Sequence, residues 1–146
     1  MREALNRSLA LARQGEALGY ERFWMAEHHG MEGIACAATS VALSYIGQGT
    51  KTIRIGAGGI MLPNHAPIVI AEQFGTLEAL FPGRVDLGLG RAPGSDQRVA
   101  QVMRRNLNTD PNQFPRDVVE LQALLEGDEQ LPVQATPGQG SKVPLY

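Results

Sequence analysis

An α/β fold of parallel βαβ units is what this sequence predicts, and three observations predict it. Helical periodicity alternates along the chain with short apolar runs, in the order helix, strand, helix, strand, helix, strand, then two helices and the start of a further strand. The runs Ile53–Ile60 and Arg84–Gly90 are dominated by apolar residues, as parallel strands covered by helices are. Both runs open into glycine at their C-terminal ends, Gly56, Gly58 and Gly59 in the first and Gly88 and Gly90 in the second. Glycine weakens a strand, so a cluster at its end marks close approach by another backbone or by a ligand. Right-handed crossovers bring the C-terminal tips of such strands to one edge, where ligands gather in α/β folds.

Glu3 to Leu18 is read as a helix because Leu5, Leu9 and Ala12 fall at i, i+4 and i+7, Leu11 and Leu18 widen the stripe, and Gly19 follows it. Arg22–Glu27 (RFWMAE) is a short strand with Phe23 and Trp24 expected in the core, and His28-His29-Gly30 is its loop. Ile34–Gly47 is rich in small apolar residues, with Ala35, Ala38, Val41, Ala42 and Tyr45 spaced for a helix lying on a flat surface. Ile53–Ile60 is the second strand, stopped at Pro63-Asn64. Pro67 suits the first turn of a helix over Ile68–Leu80, whose inward stripe is Ile70, Phe74, Leu77 and Phe81. Phe81-Pro82-Gly83 ends that helix, and Arg84–Gly90 is the third strand, with Val85, Leu87 and Leu89 alternating against Asp86 and Gly88. Ser95–Arg105 is helical, 106–112 is a polar loop, and Pro115–Leu125 is a helix with Val118, Leu121, Leu124 and Leu125 apolar. Residues 126–143 are irregular, and Val143-Pro144-Leu145-Tyr146 begins another strand.

The 146 residues suffice for a single domain with its own core, over 1–146. A net charge of −2, with no basic block interleaved with aromatics, argues against a nucleic-acid partner. The lone Cys36 excludes an intrachain disulfide and a multi-cysteine metal site, and fits a reducing compartment, the cytoplasm by default. No apolar run approaches the roughly 20 residues of a membrane span, and MREALNRSLALARQGEA lacks the continuous apolar segment of a secretory signal.

The chemistry that these residues allow is concentrated at the strand tips. One of His28 and His29 is suited to proton transfer near neutral pH; the alternative is a polar loop with one imidazole bound to backbone. A metal is not expected, since His-His with His65 lacks the spacing of the usual zinc signatures. Gly88-Leu89-Gly90-Arg91-Ala92-Pro93 begins like a dinucleotide fingerprint, but Pro93 replaces the third glycine and Asp110 lies in a Thr-Asp-Pro turn. Arg91 is either a cation able to fork onto a phosphate or carboxylate, or a structural partner of Asp86 or Asp96. Gly58-Gly59 is either plain close packing or a backbone shape other residues resist, a non-proline cis bond included. Arg116 points at the same face or at solvent.

Taken together, FWMAEHHG, IRIGAGGIMLPNHAPIVIAEQFGTLEALFPGRVDLGLGRAPGSD and the helix from Arg116 closely resemble the bacterial luciferase-like flavin monooxygenases, over nearly the whole chain. The resemblance implies a partial TIM (β/α)8 barrel, strands two to four with their helices, the first strand and the C-terminal half being absent. It implies reduced FMN supplied by a separate flavin reductase, molecular oxygen, and a small organic substrate that is oxygenated. It puts the catalytic histidine at His28 beside Glu27, and the cis peptide under the flavin ring at Gly58-Gly59, with Ile60 next to it. Arg91, after Gly90, and Arg116 fall at positions that contact the FMN phosphate; Gly90 replaces the reactive cysteine of the light-emitting members. The absent first strand carries the family's serine-containing phosphate loop. Ile53, Ile55, Val85 and Leu87 are expected to face water in such an open sheet, which predicts a homo-oligomer or a complementing polypeptide. The alternative is a non-catalytic half-barrel that oligomerises or sequesters flavin.

Overall fold

The computed structural model describes residues 1–92, 96–103, 110 and 112–146. Its elements are α1 (Arg2–Ala17), β1 (Arg22–Met25), α2 (Thr39–Gly49), β2 (Arg54–Met61), a single 3-10 turn (Leu62–Asn64), α3 (Pro67–Leu80), β3 (Val85–Gly90), α4 (Gln97–Val102) and α5 (Gln113–Glu126). The strands form one parallel sheet in the order β1-β2-β3. Arg22 pairs with Arg54 and Met25 with Ala57, while Ile55 pairs with Val85 and Ala57 with Leu87. The strand expected at Val143–Tyr146 is a single parallel bridge, Leu145 to Leu87. Leu87 N–H donates to Pro144 O (3.0 Å), Tyr146 N–H to Leu87 O (3.0 Å) and Leu89 N–H to Tyr146 O (2.9 Å). The sheet is open, and among the described residues nothing pairs with the far edge of β1.

Alternation along each strand gives the sheet two unlike faces. One carries Met25, Ile55, Ala57, Val85 and Leu87, all buried under helices. Leu9 and Ala12 of α1, Leu43 and Ile46 of α2, Ile70, Phe74 and Leu77 of α3, and Leu121 and Leu125 of α5 complete this core. Each large apolar side chain removed from water here contributes roughly 1.5–3 kcal/mol. The other face carries Arg22, Trp24, Arg54, Gly56, Gly58, Asp86 and Gly88, and among the described residues no helix covers it. Two expectations are corrected by this division. Ile53, Ile55, Val85 and Leu87 do not face water, because the chain's own helices bury them. Trp24 is not core: it stands on the uncovered face, 39% exposed, its ring edge against Tyr146 at 5.1 Å, and Phe23 is only half-buried.

A third correction concerns α2, which begins at Thr39 and not at Ile34. The segment before it is tied to the tip of β1: Cys36 O accepts the His28 N–H (3.1 Å), and the Thr39 hydroxyl donates to Ala26 O (3.3 Å). Of the helix read over Ser95–Arg105 the structure describes Gln97–Val102 as helical, while its first position and last two, with most of the loop 106–112, lie outside the described residues. Residues 127–142 are irregular but packed. A Cβ on Gly75 of α3 would lie 2.7 Å from Gly138 N and Pro137 O, so the segment crosses α3 backbone against backbone. Ala135 and Val143 are buried there. No helix among the described residues is long and apolar enough to cross a membrane.

Candidate functional site

Parallel order sets the tips of β1, β2 and β3 side by side, which brings Glu27–His29, Gly58–Met61 and Gly90–Arg91 to one edge. Glu27 is the hub of the first group. It is 1% exposed, and its two oxygens have separate duties. Oε2 accepts the Met61 N–H at 3.0 Å, tying the exit of β1 to the exit of β2. Oε1 accepts from His29 Nε2 at 2.5 Å and from His65 Nε2 at 2.8 Å. Burial pushes the Glu27 carboxyl up, but the hydrogen bonds from His65, His29 and the Met61 amide outweigh it and hold it at about 2. The carboxylate is therefore ionised throughout the physiological range.

The residue expected as the catalytic histidine, His28, is beside this network and not in it. Its backbone N–H is fixed on Cys36 O, and among the described residues its half-buried imidazole makes no hydrogen bond. The adjacent imidazole, His29, is the one that turns to Glu27. Cys36 is buried nearby; burial pushes its thiol up, leaving a packing residue and no thiolate.

The tip of β2 carries a cis peptide at Gly58-Gly59. Pairing slips there from Ala57↔Leu87 to Ile60↔Leu89, two residues of β2 opposing one of β3. Backbone atoms beside Gly59 require glycine there, and the Trp24 ring leaves only tight space beside Gly58. A Cβ on Gly59 would meet Gly88 O at 2.7 Å and Leu89 C at 2.9 Å, and one on Gly58 would meet Trp24 Cε3 at 3.1 Å. Gly58 is exposed, so the tip presents a bare backbone shelf on the uncovered face, with Trp24 as its wall. Ile60 is buried at 2%, its side chain in the core, which leaves only its backbone for a ligand.

At the tip of β3, Gly90 packs against the Met61 side chain, where a Cβ would lie 2.8 Å from Sδ. Arg91 is exposed, and neither structural partner considered for it is free. Asp86 is held by Arg22 Nε (3.2 Å), Arg54 Nε (2.9 Å) and Trp24 Nε1 (3.1 Å), and Asp96 caps α4 through Val99 N–H (2.8 Å). Among the described residues Arg91 has no ion pair. Arg116 lies in α5, whose C-terminal end is bound to the segment leading into the bridge with β3, since Lys142 N–H donates to Leu125 O (3.2 Å). The N-terminal end of α5 is thereby directed to the strand-tip end of the domain. Arg116 is exposed and paired with Asp110 at 3.0 Å, a surface pair of small energetic weight.

Sequence reasoning missed the Glu27–His29–His65 network as a unit, and the Asp86 hub of the uncovered face. The signal for the second was present: Arg22 and Arg54 open β1 and β2, and Asp86, the second residue of β3, alternates onto the same face. No local pattern joins His65 to Glu27.

The profile of the luciferase-like monooxygenase family matches residues 1–128. A luciferase-like monooxygenase of Escherichia coli (strain K12) is 56% identical over 146 residues, covering 99% of this chain and 44% of that protein. Among solved structures, apo-MsnO8 is 37% identical with a TM-score of 0.91, over 99% of this chain and 43% of its own. The oxygenating constituent of 3,6-diketocamphane monooxygenase from Pseudomonas putida, in complex with FMN, shares the fold at 17% identity, with a TM-score of 0.79 over 99% of this chain and 45% of that one. The chain thus spans less than half the length of the relatives it matches. The open sheet is a segment of their architecture, and the chain belongs to the luciferase-like monooxygenase family.

Proposed function

We propose that this chain carries part of the site of an FMN-dependent monooxygenase that oxygenates a small organic substrate with O2 and reduced FMN, the latter supplied by a flavin reductase. One observation carries the reading: an exposed, side-chain-free shelf at Gly58-Gly59 on the uncovered face, with Arg91, which has no ion pair among the described residues, on the neighbouring strand tip. Such a shelf suits a flat ring system, and a guanidinium donates two parallel N–H bonds to a phosphate in a bidentate fork. The residues present therefore fit FMN. Family membership and the FMN-bound structure of the same fold support the choice. When bound, reduced FMN supplies the electrons that activate O2.

The chain's own residues do the rest. Gly58, Gly59 and the backbone of Ile60 would form the floor for a bound flavin ring. Arg91, after the closely packed Gly90, would hold the phosphate, and Arg116 would add a second cation once released from its surface pair with Asp110. The His28 imidazole donates or accepts a proton at the substrate, since no hydrogen bond within the described residues engages it. Glu27 keeps the loop bearing His28 in place through Met61 and His29, and is itself too acidic to serve as a proton donor. The lone buried thiol accords with a cytoplasmic setting. The open sheet favours a working unit completed by a second copy or another polypeptide.

Titration with FMN, followed by quenching of its fluorescence, tests this. Wild type is expected to saturate, and Arg91→Ala to weaken binding about tenfold, the worth of one charge-assisted contact. Absence of quenching at millimolar flavin, or equal affinity in the variant, overturns the reading. The uncovered face also favours a second reading, a half-barrel that only sequesters flavin. Substrate-dependent O2 uptake with reduced FMN is expected of the enzyme and absent from that alternative.

A further inference from the structure

Three ligand atoms converge at the strand tips in a way the flavin reading does not use. His29 Nε2 and His65 Nε2 stand 2.5 Å and 2.8 Å from the same oxygen, Glu27 Oε1, and the ligand atoms of the three residues all lie within 4.8 Å of one another. We infer that Glu27, His29 and His65 form a binding site for a divalent late first-row cation, for which Zn2+ is representative.

The donor set is the first reason. Two imidazoles and one carboxylate oxygen suit Zn2+, Co2+ and Ni2+, and three protein ligands leave positions for water. The second is how the carboxylate is held. Glu27 is buried and keeps Oε1 for the imidazoles while Oε2 is fixed by the Met61 amide, the outer hydrogen bond that orients a ligating carboxylate. The third is room to adjust. Ligand distances of about 2.0–2.2 Å put tetrahedral donors roughly 3.4 Å apart. The two separations from Glu27 Oε1 must therefore widen by less than about 1 Å, and the two imidazole nitrogens close by no more than about 1.4 Å. His29 and His65 are partly exposed side chains on separate loops, so small ring movements suffice and the cation reaches them from solvent. A single imidazolium would already balance the charge of Glu27; placing two imidazoles on one of its oxygens gathers ligands beyond what neutralisation needs. On binding, each imidazole gives up its Nε2 proton, by shifting it to Nδ1 or releasing it to solvent, and the ionised carboxylate gives up none. The sequence spacing argued against a metal because the His-His pair was weighed without Glu27, and because His65 arrives from 38 residues away. The site does not depend on the flavin reading.

The test is a titration of chelator-treated protein with Zn2+ by calorimetry and with Co2+ by visible absorption. One equivalent per chain is expected, with a Co2+ spectrum free of thiolate charge transfer, since Cys36 is outside the cluster. His29→Ala and His65→Ala should each weaken binding at least about tenfold while keeping the wild-type circular dichroism, and His28→Ala should bind like wild type. Zn2+ should raise the Tm of wild type and leave that of His65→Ala unchanged. No saturable binding by wild type, undiminished affinity in both His29→Ala and His65→Ala, or an equal loss in His28→Ala overturns the site.

Discussion

Glu16, in the last turn of α1, is an acid where the helix dipole favours a base. Its Oε1 accepts the N–H groups of Lys51 (2.8 Å), Thr52 (2.6 Å) and Ile53 (2.9 Å) and the Thr52 hydroxyl (3.2 Å), so one carboxylate satisfies three amides at the approach to β2. Those bonds, led by that from the Thr52 amide, hold its pKa at about 2, below the ordinary 4.5. A depressed pKa means stability that is present above about 4.5 and lost as pH falls towards about 2, because the unfolded chain takes up the proton first. Glu16→Gln is expected to cost on the order of 1 kcal/mol at pH 7, with allowance for solvent screening. At pH 2 it should match wild type, and chemical denaturation at both values checks this; an equal loss at pH 2 would sink the carboxylate account. Residues like this one were illegible in the sequence because their partners are distant: Glu16 reaches 35 residues to Lys51, and Glu27 reaches 38 to His65. Gly58-Gly59 and Arg91 were legible, since glycines in a strand and a cation at its tip break local pattern wherever they stand.

The order of helices and strands was readable from periodicity, and the strand tips with it, but which strand face is covered was not. Apolar residues at alternate positions of β2 and β3 lie under helices, whereas Arg22, Trp24, Arg54 and Asp86 alternate onto the uncovered side. Reading both faces as apolar core misplaced Trp24. The start of α2 was misread for a related reason: apolar residues before Thr39 serve a loop bound to the tip of β1. Asp86 shows how the strands meet the demands of the uncovered face. It is fully buried, and Arg54 engages it through both Nε and Nη2 while also donating to Val85 O (3.0 Å) and Gly83 O. Arg22 contributes one bond and is more exposed. Arg54→Ala leaves a buried carboxylate short of its main partner and is expected to cost about 3 kcal/mol, and Arg22→Ala is expected to cost clearly less. Urea unfolding of the two variants checks the ranking, and equal losses would show that Asp86 is held as well by one arginine as by the other.

At the scale of the molecule, the architecture was legible through its resemblance to a family of closed barrels, but the ground first given for association does not hold, since the named apolar residues are buried. The case for association rests instead on the edges. β1 has an unpaired far edge among the described residues, and a parallel strand presents there a row of N–H and C=O groups that another strand can take up. Beside it, Leu11, Leu18 and Tyr20 are exposed along a groove that also holds Phe23, apolar surface placed where an added strand and helix would cover it. On the opposite side, Val143–Tyr146 bridges β3 and offers its own outer edge. A second copy docking head to tail would place the Val143–Tyr146 segment of one against β1 of the other, parallel to it, as that segment already runs against β3. Light scattering at tens of micromolar should accordingly give a mass that is a multiple of the single chain. Leu18→Glu combined with Tyr20→Lys should weaken that association about tenfold, by removing apolar contact from the groove. Both side chains are largely exposed, so monomer stability should change by no more than roughly 0.5 kcal/mol per substitution. A wild-type chain that remains monomeric, or a double variant that assembles as tightly, would mean that the β1 edge is not where this sheet is completed.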